Sequence, residues 1–154
     1  MATITTNLQH AIGSLFEVHS DKGNVHRVVT PLEYPGSNDQ IVVRVRPGPN
    51  GVGYTIDENG EAAFYASLNG GDVDSEAVGR WATELAQFSP VRLNEQEVLS
   101  AFTKNEKLIG PYIFRVAEAA QQLVLLATAC IAPQENKFLL ETKQAVQYTL
   151  ADIE

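Results

Sequence analysis

Apolar positions along the chain change period several times, and each change marks an element. Leu8, Ile12 and Leu15 recur at helical spacing and Phe16 widens the stripe, so an amphipathic first helix is expected from Thr6 or Asn7 to about Val18. After the polar break Asp21 to Asn24, the segment Val25 to Tyr34 is rich in β-branched residues. It carries Pro31, which suits an edge position or a strand end. Pro35, Gly36, Ser37, Asn38 and Asp39 then form a turn cluster.

From Ile41 to Val45 the pattern alternates strictly. Ile41, Val43 and Val45 share one face while Val42, Arg44 and Arg46 share the other, the period-two mark of a half-buried strand. Pro47 to Gly51 reads as a loop. Gly53 to Ile56, the turn Asp57 to Gly60 and the run Glu61 to Leu68 read as strand, tight turn, strand, with Asn59 and Gly60 supplying positive backbone angles. Three or four such strands in succession predict an antiparallel meander, because no crossover helix fits between them.

Helical spacing returns after Asn69, Gly70 and Gly71. An Asp or Ser among Asp72 to Ser75 can cap a helix carrying Val78, Trp81, Ala82 and Leu85, which Ser89 and Pro90 end. Asn94 to Thr103 fits a short helix or an extra strand. Gly110 and Pro111 open the strongest helix, since proline in a first turn removes no hydrogen bond; Ile113, Val116, Ala117, Ala120, Leu123, Val124 and Ala127 follow at helical intervals. Pro133 stops it, and Asn136 to about Ala151 is read as a final helix. The expected fold is therefore a single α+β domain over residues 1–154. In it an antiparallel three- to four-stranded meander packs against several helices, and the long C-terminal helical part ends in a helical extension over 133–154.

Composition narrows the function classes. The 154 residues carry 11 Lys and Arg against 19 Asp and Glu, a formal net charge of -8. Phosphate backbones are bound by basic residues that release counterions, so direct nucleic-acid binding and anionic membranes are disfavoured. The single cysteine, Cys130, leaves no internal disulfide, and no basic, hydrophobic leader opens the chain, so a cytoplasmic location is expected. The apolar run Leu123 to Ile131 is too short to span a bilayer.

Charge is also unevenly placed. Between Arg46 and Arg80 there is no Lys or Arg, while Asp57, Glu58, Glu61, Asp72, Asp74 and Glu76 supply six carboxylates. Those six, with Arg44 and Arg46, are the candidate partner-binding residues. The two arginines also have a structural reading, pairing with Asp57, Glu58 or Glu61 on a neighbouring strand.

Other constellations are incomplete. The glycines of Pro47 to Gly53 lead into a strand and lack the lysine and hydroxyl residue of a phosphate loop. Asp57, Asn59 and Glu61 lack the ligand number and spacing of a calcium loop. His19, His26 and Asp21 fall short of a metal set, and Cys130 sits in apolar surroundings that suppress thiol reactivity. Trp81 is read as core. No nucleophile elbow ranks one serine above the rest. No catalytic residue, metal or cofactor is therefore assigned.

The segment Tyr54 to Glu61, Tyr-Thr-Ile-Asp-Glu-Asn-Gly-Glu, resembles the Leu-Thr-Asp-Asp-Gly type turn of an uncharacterised domain family of bacterial and phage proteins. Asn59 stands where that family often has an acid. The resemblance spans roughly Leu8 to Ala129 and implies an α+β fold with no established activity. The expected function is that of a non-enzymatic protein that binds another protein, from the host or the same operon. It would act as an accessory or inhibitor protein of a phage or mobile element, for example of anti-CRISPR or anti-restriction type, through an acidic surface. The alternatives are a small-molecule or nucleotide-processing enzyme with its site at His26, Arg44, Arg46 and the loop Pro47 to Gly53, and a structural homodimer.

Overall fold

The computed structural model describes residues 3–129. Cys130 and the expected helix over 136–151 lie outside the described residues. Within them the fold is α+β: one six-stranded antiparallel sheet with four α-helices. Helix α1 (Ile4–Gly13) leads into β1 (Glu17–Ser20), β2 (His26–Glu33), β3 (Gln40–Pro47) and β4 (Tyr54–Asp57). Helices α2 (Glu61–Leu68) and α3 (Glu76–Phe88) follow, then β5 (Arg92–Leu93), β6 (Leu99–Thr103) and α4 (Ile109–Ala129). The spatial order is β1-β2-β3-β4-β6-β5.

Alternation in β3 falls as the sequence predicts: Ile41, Val43 and Val45 are buried and Arg44 and Arg46 lie on the opposite face. With Val28, Ile56, Leu99 and Ala101 they form one apolar face. Helix α4 crosses it, contributing Val116, Ala117, Ala120, Leu123, Val124 and Ala127. Burying each Val, Leu or Ile among them stabilises the fold by about 1.5–3 kcal/mol, and each Ala by less. Helix α2 lies against α4, and α3 against α4 and β5. On the other face Arg27, Arg46 and Phe102 are exposed.

Two expectations need correction. The first helix is shorter than its apolar stripe and buries no residue, because the chain turns at Ser14 into β1. Pro31 lies in β2 beyond Val29, where pairing with β1 has ended and the register with β3 shifts, a locally open edge that spares the missing N–H. Of the two readings of Asn94 to Thr103 the strand holds for Leu99–Thr103, where β6 pairs with both β4 and β5.

The second correction matters most. Asn59 and Gly60 do adopt positive φ, 64° and 75°, but the turn they make leads into α2 and not into a returning strand. Ala62, Ala63 and Ala66 form the buried side of that helix, where small side chains permit close packing on α4. The expected hairpin therefore does not exist, and β4 pairs with β6 in its place.

Candidate functional site

The helical course of Glu61 onward changes what the acidic segment is. Asp57 and Glu58 have no exposed surface. Glu58 uses both oxygens on backbone donors: Oε2 accepts from Ala62 N at 3.0 Å and Oε1 from Leu99 N at 2.8 Å. Gly60, the residue before α2, has no side chain to cap the helix, so the Glu58 carboxylate satisfies a first-turn amide and ties it to β6. Burial raises the Glu58 pKa above its ordinary value and the Asp57 charge adds to this, against the lowering by the backbone donors.

Asp57 anchors a second cluster. Its Oδ1 accepts from Arg44 Nε at 3.0 Å, Arg44 Nη2 at 2.9 Å and Asn59 N at 2.9 Å, and its Oδ2 accepts from Arg46 Nε at 2.7 Å. One buried carboxylate thus fixes two guanidinium groups in the cross-strand pairing anticipated from the sequence. The arginines themselves stay partly open, with side-chain exposures of 33% and 46%.

The other candidate acids are elsewhere and do not converge. Glu61 is exposed in the first turn of α2, where a negative charge suits the helix dipole. Asp72 accepts from Asp74 N, Ser75 caps α3 through Val78 N, and Glu76 sits in its first turn. The six carboxylates are therefore not one acidic surface. Two are internal, and the rest mark helix starts.

Strand register builds the feature that the sequence did not announce. Partners run His19↔Arg27, Arg27↔Arg44, Arg44↔Asp57, Asp57↔Ser100 and Ser100↔Arg92. Residues in register share a face, so His19, Arg27, Arg44, Asp57, Ser100 and Arg92 form one row across all six strands, about 24 Å long at the usual strand spacing. The row lies on the face away from α4. Arg46, Thr55 and Phe102 form the adjoining row. Four of the six arginines in the chain occupy this face. Arg27 is held by Asp21 through Nε at 2.6 Å, which raises its pKa further, and His19 lies beside Glu17.

The enzyme alternative placed His26, Arg44 and Arg46 together with the loop Pro47 to Gly53. His26, Arg46, Pro47, Gly51 and Gly53 do border one cleft, but Arg44 does not. His26 is in register with Val45 and so belongs to the core side of the sheet, opposite the arginine row. His19 and Asp21 are engaged with Glu17 and Arg27, apart from His26. Among the described residues no group of three His, Cys, Asp or Glu side chains has metal-binding geometry, and no helix is long and apolar enough to cross a membrane. Trp81 packs half-buried against the core and donates from Nε1 to Gln122 Oε1. Compared with protein-family models, curated proteins and solved structures, the chain matches none.

Proposed function

We propose that this protein acts by binding another protein, without catalysis, and that the arginine-bearing open face of the sheet is its contact surface. The observation that carries this is the row His19, Arg27, Arg44, Asp57, Ser100, Arg92, with Arg46 beside it. A solvated sheet face does not need such a row for stability, and Arg27 directly opposite Arg44 is an unfavourable like-charge pair. The Asp57 clamp restrains two long side chains before any partner arrives, which lowers the ordering cost of binding. A guanidinium has five donors, and those of Arg44 and Arg46 not used on Asp57 remain for carboxylates of a partner.

The partner in this reading is a protein with an acidic contact region. The overall charge of -8 works against a phosphate backbone on the same face. In its specific form the protein is an accessory or inhibitor protein of a phage or mobile element. The acidic-surface version loses support because Asp57 and Glu58 are internal. Affinity capture with the full chain and with an Arg27→Ala/Arg92→Ala variant tests the proposal, because neither residue touches the Asp57 clamp. A stoichiometric partner retained by the wild type and lost by the variant is expected; equal retention by both refutes this surface.

A further inference from the structure

A cleft of about 580 Å3 opens at the end of the sheet, where β2 begins, β3 ends and β4 begins. Its volume lies within the usual range for small-molecule sites. Asn24 and His26 border it from the start of β2 and Lys104 from the end of β6, and Val45, Pro47 and Tyr54 supply apolar lining. The Tyr54 hydroxyl donates to Glu106 Oε1 at 2.7 Å, which fixes that carboxylate at the rim and raises the Tyr54 pKa. Asn24, His26 and Lys104 make no side-chain ion pair or hydrogen bond among the described residues, in contrast to Arg46, whose Nε is committed to Asp57. Gly51 and Gly53 border the cleft with φ of 73° and 69°, the left-handed region that favours glycine.

We infer that this cleft binds a small ligand that combines an oxyanion with a planar ring. Lys104, His26 and Asn24 are donors suited to the oxyanion, with the Arg46 charge beside them. The tyrosine ring, Val45 and Pro47 offer the flat apolar surface, and Glu106 accepts from a ring amino or hydroxyl group. This site shares Arg46 with the arginine face but takes its donors from Asn24, His26 and Lys104, none of which belongs to that face, so its test can fail without the protein-binding proposal failing. The same donors suit a phosphate monoester or an aromatic carboxylate, two sources that a titration separates.

The test is a two-dimensional amide NMR titration of the full chain with adenosine 5′-monophosphate, benzoate and inorganic phosphate. Saturable shifts confined to the amides of 24, 26, 51, 53 and 104 are expected with the first probe if the source is a phosphate monoester, or with the second if it is a carboxylate. Lys104→Ala and His26→Ala, both exposed positions, should each weaken that binding roughly tenfold, about 1.4 kcal/mol. Tyr54→Phe, which frees Glu106, should weaken it less. The inference is overturned if neither organic probe saturates, if Lys104→Ala leaves affinity unchanged, if inorganic phosphate binds as tightly as the nucleotide, or if the shifts fall on 27, 44 and 92.

Discussion

Replacing Asp57 with alanine removes the acceptor of four hydrogen bonds, three of them from guanidinium groups. Leaving one partner of a buried pair alone costs about 3–5 kcal/mol in a closed interior. Arg44 and Arg46 are 33% and 46% exposed and can rehydrate, so the loss is smaller. Adding the stranded Asn59 amide, the expected cost is about 2–3 kcal/mol. For a domain of this size that lowers the thermal midpoint by about 4–12 °C. Urea denaturation at neutral pH measures the free energy, and an unchanged m-value excludes a change in the unfolded chain. Arg44→Ala and Arg46→Ala should each cost less, about 0.5–1.5 kcal/mol, since each leaves the other bond to Asp57 intact. The triple variant should cost little more than Asp57→Ala, because the three side chains act as a unit. An Asp57→Ala variant within about 0.5 kcal/mol of wild type, or losses that simply add, would refute the clamp.

Other outcomes follow from neighbouring geometry. The folded-state pKa of Glu58 is raised, so its contribution is present below the unfolded pKa and lost as pH rises through the folded one. Glu58→Gln sets a backbone N–H against the amide NH2 and should be less stable than wild type at low pH, but the difference should narrow as pH rises across that interval; a difference that widens contradicts the burial argument. Gly53→Ala places a methyl 2.8 Å from the Phe102 ring at a positive φ and should cost about 2–4 kcal/mol by urea denaturation. Gly51→Ala, with equal φ but open space, should cost about 1 kcal/mol. Because α1 buries no residue, deleting residues 1–13 should move the thermal midpoint by no more than about 2 °C, and a larger fall would show that the helix packs.

How far the sequence was legible depended on whether the signal was local. The alternation of Ile41 to Val45, the cap among Asp72 to Ser75 and the Gly110-Pro111 start each rest on residues within a few positions, and each is found in place. Glu61 to Leu68 was misread because its buried alanines are set by contact with α4, some 50 residues on. The eight-residue run is too short and too uniformly apolar for its period to decide. The Arg44, Arg46 and Asp57 pairing was visible as a cross-strand option. The full arginine row was not, because it needs the registers of β1, β5 and β6, which no local pattern encodes. The burial of Asp57 and Glu58 was hidden for a related reason: carboxylates in a glycine turn read as solvated unless their donors, Leu99 and the two arginines, are already placed.

Arginine footprinting of the partner complex with phenylglyoxal, read residue by residue by mass spectrometry, tests the central claim most directly. The account predicts that Arg27, Arg44, Arg46 and Arg92 become protected on binding while Arg80 and Arg115, on helices away from the row, react as before. Protection of Arg80 or Arg115 with the sheet-face arginines unchanged would contradict it.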